Sequence, residues 1–245
     1  MVRKITFIAT SQFDDLTLER NAQHSNRLGY PLIGQAGAVA PNLAVVGGSP
    51  SVVNHIDELK AWDGDIWATN GAFLWCLDNG IEATFYAVDP LPALAAVAAK
   101  ANRAVLSSIC DPSVFEAVKG PVEIFPHGDL PSGTSGVATS PMAAATRGHR
   151  SVTLFGCESS FEGQEHAYSW PHKTESRLVV ECGGKQYMTT PQLIMQAEYI
   201  AEIARGVPGF VTVAGGGFLP ALINHGDYEV IKVSRNIMES LTHGG

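Results

Sequence analysis

Eight short runs rich in β-branched and aromatic residues punctuate this chain, and segments with helical spacing of their apolar residues lie between most of them. The runs are ITFIA (5–9), LAVVG (43–47), IWAT (66–69), TFYAV (84–88), AVLSS (104–108), VEIF (122–125), VTLF (152–155) and FVTVA (210–214). The helical candidates are 50–60, 71–79, 91–102, 111–119, about 137–147 and 191–205. Alternation of this kind predicts βαβ units and a largely parallel sheet covered by helices on both faces. The expected fold class is therefore α/β and Rossmann-like, with residues 1–245 forming one domain. Within 50–60, Val52, Val53, Ile56 and Leu59 fall on one helical face, which should cover the sheet.

Two regions break the rhythm. Residues 1–42 offer an N-terminal strand and then an arm with no clear period. Residues 156–190 are polar and aromatic, with a hairpin expected across Cys182-Gly183-Gly184. An insertion of that length over a regular sheet suits a lid over the carboxyl edge.

Charge narrows the partners. The chain carries 24 acidic and 16 basic residues, a net charge of −8, with no run of Lys or Arg. A nucleic acid or an anionic membrane surface calls for clustered positive charge, so neither is expected, and a small-molecule ligand fits better. Cys76, Cys110, Cys157 and Cys182 have no CxxC spacing, so they read as reduced thiols of a cytoplasmic protein. The opening MVRKITFIAT is too short an apolar run for a signal peptide or a membrane span.

The stretch LAVVGGSPSVVNHIDELK (43–60) places a tight turn between a buried strand and a helix. Gly47 and Gly48 can take positive φ and let a ligand lie on bare backbone. Ser49 suits an N-cap and Pro50 the first helical position, so Gly47, Gly48, Ser49, Pro50 and Ser51 form a candidate anion cradle at a helix N-terminus. The turn has neither the GxGxxG spacing of a dinucleotide site nor the Lys of a P-loop.

Other strand ends carry polar residues: Asn70 after IWAT, Asp89 after TFYAV, and Gly156 with Glu158 after VTLF. In an open α/β sheet the carboxyl strand ends line the ligand crevice, so these positions are expected to converge. Thr134, Ser135 and Gly136 form a second small-residue loop with backbone and hydroxyl donors. Pro141 either lies in a kinked helix or follows a cap at Ser140. No HExxH occurs, and GTSGV is one residue short of a GxSxG elbow, which disfavours a zinc protease and a serine hydrolase.

Four blocks, VVGGSPSV, IEATFYAVDP, GTSGVATSPMAAATRGHRSVTLFGCESSF and GFVTVAGGGFLPAL, together resemble the 6-hydroxymethylpterin diphosphokinase-like family, which includes motility accessory factors. Two of the blocks also resemble bacterial sialyltransferases that use a cytidine-monophosphate sugar donor. Ser49 precedes the Pro-Ser pair of the first block, and Glu158 stands where the family pattern has Asp. The resemblance implies a nucleotide-dependent transferase.

Under the first implied activity, diphosphoryl transfer to a small pterin-like acceptor, Asp89 and Glu158 would hold Mg2+ and the 47–51 turn the phosphates. Under the second, glycosyl transfer from a nucleotide-sugar, His166 or His172 would act as general base, and Tyr168 would meet the charge on the leaving phosphate. A third possibility is a non-catalytic nucleotide-binding member of the same family.

Overall fold

The computed structural model describes residues 13–35, 37, 39–127, 135–161, 167 and 177–233. The expected strand at 5–9 lies outside them. The remaining seven expected strands all form: β1 (Asn42–Val46), β2 (Asp65–Thr69), β3 (Thr84–Ala87), β4 (Ala104–Ser107), β5 (Val122–Phe125), β6 (Ser151–Phe155) and β9 (Val211–Ala214). They pair in parallel in the order β5-β4-β3-β2-β1-β6-β9. Leu43, Ala44, Val45 and Val46 of β1 are fully buried, as a central strand covered on both faces requires.

From β1 the chain steps outward through β2, β3 and β4 to β5, then returns across the sheet to place β6 on the other side of β1. The strand order therefore reverses between β1 and β6, and a doubly wound sheet has its crevice at that point, beyond the carboxyl ends of the strands. One face packs α6 (Gly136–Arg147), α7 (Pro191–Gly206) and α8 (Phe218–His225) over Val45, Trp67, Tyr86 and Leu154. The other packs the segment after β1 together with α3 (Ala72–Asp78), α4 (Ala95–Ala98) and α5 (Pro112–Ala117) over Val46, Ala68, Phe85 and Phe155.

Several helices differ from expectation for local reasons. Residues 50–60 form a 3-10 helix over Pro50–His55 followed by the short α2 (Ile56–Lys60). Ser49 makes no side-chain cap, and the adjacent β-branched Val52 and Val53 favour an α-helix little. Residues 91–102 likewise shorten to a 3-10 turn and the four-residue α4. In contrast, α6 runs through Pro141 with Ser135 as its N-cap. Proline removes the N–H that Val137 O would accept, and the Ser140 hydroxyl donates to that oxygen instead, at 2.8 Å.

The expected hairpin forms as β7 (Leu178–Cys182) and β8 (Lys185–Thr189), joined by Gly183 and Gly184, both at positive φ. With β10 (Glu229–Val233) it makes a separate three-stranded antiparallel sheet. The arm contains α1 (Asp15–Arg27), whose Asn21 and Ser25 donate to Ile109 O and Ser108 O near the end of β4. No helix among the described residues is long and apolar enough to cross a membrane.

Candidate functional site

The turn after β1 and the loop after β6 meet at the reversal point. Gly47 N donates to Phe155 O at 2.8 Å and Ser49 N to Gly156 O at 3.0 Å. A Cβ at Gly47 would stand 2.5 Å from Gly156 O, so this glycine serves close backbone packing. Gly156 itself has φ +64 and faces Val52. The seam buries Gly47 and Gly156, while Gly48, Ser49, Pro50 and Ser51 remain half-buried.

Glu158, only 4% exposed, turns its carboxylate onto this turn and accepts a hydrogen bond from the Ser51 hydroxyl at Oε1. Its Oε2 is buried and has no hydrogen-bond partner among the described residues. Of the expected anion cradle at 47–51, two backbone N–H groups are taken by the chain, Gly47 N by Phe155 O and Ser49 N by Gly156 O. Residues 50–55 form a 3-10 helix of about two turns that runs into α2, and the Ser51 hydroxyl is engaged by the Glu158 carboxylate.

A second helix mouth has the length and cap the first lacks. Helix α6 has twelve residues, and Ser135 Oγ accepts from Ala138 N at 3.1 Å. The same hydroxyl donates to Gln196 Oε1 at 2.6 Å, and Gln196 Nε2 donates to Ser159 Oγ at 2.9 Å. Gly136 packs beside Thr69 and Tyr86, with room for an added methyl only at ordinary contact distance. The N-terminus of α6 thus opens over the carboxyl ends of β2 and β3, with its first N–H groups and partial positive charge at the crevice.

Asn70 and Asp89 stand at the same two strand ends. Asn70 Nδ2 donates to Asp89 Oδ2 at 2.6 Å, and its backbone is held at φ 45. A left-handed Asn is uncommon and costs conformational energy. Asn70 Oδ1 is buried with no partner among the described residues. Burial pushes the Asp89 carboxyl above its ordinary value, against the opposing effect of the Asn70 hydrogen bond.

The two carboxylates proposed from sequence as Mg2+ ligands follow β3 and β6, three places apart in the sheet. The strand axes are roughly 14 Å apart there at ~4.8 Å per strand, and the carboxylates lean inward, Asp89 onto Asn70 after β2 and Glu158 onto Ser51 after β1. Each carboxylate is thus engaged by a side chain of the protein. No cluster of three or more His, Cys, Asp or Glu able to hold a metal occurs among the described residues. Thr134, His166, Tyr168 and His172 lie outside the described residues. Ala167, from the same insertion, donates its N–H to Gly48 O at 2.9 Å.

One further residue at the crevice was not anticipated. His55 Nδ1 lies 2.9 Å from Glu58 Oε2, and its ring meets Phe155 edge-on with centroids 5.3 Å apart. A Cβ at Gly215 would stand 3.8 Å from its Nε2. The i,i+3 spacing of His55 and Glu58 is present in NHIDELK, alongside the apolar face of that segment. The approach of Gly215, 160 residues later in the chain, left no local signal.

No protein-family model and no curated protein matches the chain. Among solved structures it is similar to the MAf glycosyltransferase of Magnetospirillum magneticum AMB-1, with a TM-score of 0.59 and 20% identity. The match covers 82% of this chain and 37% of that one. At this identity the likeness is one of fold: a parallel α/β architecture shared with a region of a glycosyltransferase.

Proposed function

We propose that the chain binds a nucleotide-sugar and transfers its sugar to a small acceptor, with the crevice at the carboxyl edge of the sheet as the site. The observation that carries this reading is the juxtaposition of the α6 N-terminus with the Asn70–Asp89 pair. Helix N–H groups beyond the Ser135 cap supply donors for a diphosphate or monophosphate leaving group. Beside them, Asn70 Oδ1 offers an unpaired acceptor for a hydroxyl or amino group of the nucleoside. The fold shared with a glycosyltransferase supports the same reading by analogy.

Diphosphoryl transfer has less support, since the similar solved structure is a glycosyltransferase. A panel of cytidine-, uridine- and guanosine-linked sugars tests the proposal by thermal shift and by product analysis. At a hundredfold excess over Kd, binding should add about 2.7 kcal/mol, roughly 5–10 °C in Tm for a chain of this size. Binding without turnover would assign the non-catalytic alternative. Failure of every donor to stabilise the protein would sink the proposal.

A further inference from the structure

The two carboxylates at the crevice, Glu158 and Asp89, differ in what they leave open. Glu158 has Oε1 on the Ser51 hydroxyl and Oε2 buried. Asp89 is half-buried; its Oδ2 accepts from Asn70 Nδ2 at 2.6 Å, while its Oδ1 is neither bonded nor closed off among the described residues. The amide that holds the carboxylate is itself fixed, since Asn70 has φ 45 and its N–H donates to Tyr86 O at 3.2 Å. Asp89 also lies within reach of the α6 mouth. A Cβ at Gly136, the first residue of that helix, would stand 3.7 Å from the Tyr86 ring, and Asp89 comes three residues after Tyr86. Three residues of chain span at most ~11 Å. Such a length accommodates, one after another, a phosphate on the α6 N–H groups, an anomeric carbon and an attacking oxygen.

We propose that Asp89 is the general base of the sugar transfer, with Oδ1 taking the proton of the acceptor hydroxyl. The inference rests on the nucleotide-sugar reading above and deepens it. The acceptor oxygen forms a bond to the anomeric carbon as its proton passes to Oδ1. The bond from that carbon to the phosphate oxygen breaks, and its electron pair leaves with the nucleotide, whose new charge meets the α6 N–H groups. Water then takes the proton from Asp89. A single displacement assisted by a carboxylate base inverts the anomeric centre. Burial lifts the Asp89 carboxyl above its ordinary value, which makes it a stronger proton acceptor than an exposed aspartate, and taking the proton relieves the cost of keeping a charge there.

The test uses the full chain and the donor that the panel selects, with donor hydrolysis as the assay, because water can stand in for the acceptor. Asp89→Asn keeps an oxygen for Asn70 and should lower kcat about 100-fold or more, with donor KM changed less than about twofold. Its Tm at neutral pH should be no lower than that of the parent, so unfolding does not account for the loss. A loss of kcat smaller than about tenfold overturns the role of Asp89. The sugar first released should carry the inverted configuration by 1H NMR; a retained one would make the carboxylate a nucleophile and overturns the assignment. Parent activity abolished by EDTA and restored by Mg2+, with Asp89→Asn raising the Mg2+ concentration required, would place the carboxylate on a metal and overturns it as well. A parent chain that binds a nucleotide-sugar without breaking it down overturns this inference alone, whereas one that binds none overturns the reading on which it rests.

Discussion

The Ser51 hydroxyl donates to the carboxylate of Glu158, joining the turn after β1 to the loop after β6 across the point where the strand order reverses. A buried carboxylate held by one hydroxyl is sensitive to the loss of that donor. Ser51→Ala should cost about 1–3 kcal/mol, the usual penalty for a buried polar group deprived of its partner. For a chain of this length that lowers Tm by roughly 2–4 °C per kcal/mol. Glu158→Gln should soften the loss in the Ser51→Ala background, because a neutral amide is less costly to bury than a carboxylate. Equilibrium urea denaturation of the single and double variants measures the coupling, and strictly additive losses would contradict the pairing.

Asp89 makes stability depend on pH in the sense opposite to a salt-bridged carboxylate. Burial raises its folded-state pKa above the ordinary 3.8, so between 3.8 and the raised value the folded protein holds more protons than the unfolded chain. Its contribution therefore falls as pH rises through that window. Asp89→Asn should be more stable than the parent at neutral pH, with the advantage vanishing below about pH 3.8. Denaturation midpoints of the two proteins across pH check this, and an advantage independent of pH would refute the cause given.

His149 gives the reverse sign at the far edge of the sheet. It is buried, its Nδ1 lies 2.8 Å from Ala40 O, and its ring meets Trp67 edge-on. Burial lowers its pKa below the usual 6.5, outweighing the Ala40 hydrogen bond and the nearby Asp65 carboxylate; Arg147 acts in the same direction as burial. The unfolded chain then binds a proton that the folded one refuses. Stability present above pH 6.5 is lost as pH falls through and below that value. His149→Gln should flatten this slope, as denaturation midpoints across pH would show. An unchanged slope would show that His149 does not carry it.

The legible parts of this chain are those whose physics is local. Leu43–Val46 and Val152–Phe155 read as strands because their apolar runs are buried on both faces, and Gly183–Gly184 reads as a hairpin because both residues take positive φ. Helix α1 was illegible because it docks through Asn21 and Ser25, polar residues that leave no apolar stripe. Helix α8 has apolar residues at Phe218, Leu219 and Leu222, but it starts after Gly217 with no capping side chain, so the glycine run masked it. At the crevice, sequence placed Asn70, Asp89, Ser135, Gly156 and Glu158 at strand ends and loop tips. It could not tell that Glu158 would bond to Ser51, 107 positions earlier, because direction and pairing of side chains across strands are tertiary facts.

Gln196 links the second sheet to the proposed donor site. It accepts from the Ser135 cap and donates to Ser159, whose backbone sits at φ 57 and whose carbonyl accepts from Thr189 at the end of β8. Gln196 and Ser159 are both buried, so removing the amide strands the Ser159 hydroxyl without water to replace it, while the half-buried Ser135 loses its anchor. Gln196→Leu should destabilise the chain by about 1–3 kcal/mol. It should also loosen the first turn of α6, since the cap hydroxyl loses its anchor while keeping its bond to Ala138 N. Amide hydrogen exchange would then speed up at residues 136–139 more than in the strands, and donor affinity should fall in step if phosphate is bound there. Uniform acceleration over the whole chain would mean that Gln196 merely supports the fold, with no specific hold on the helix mouth.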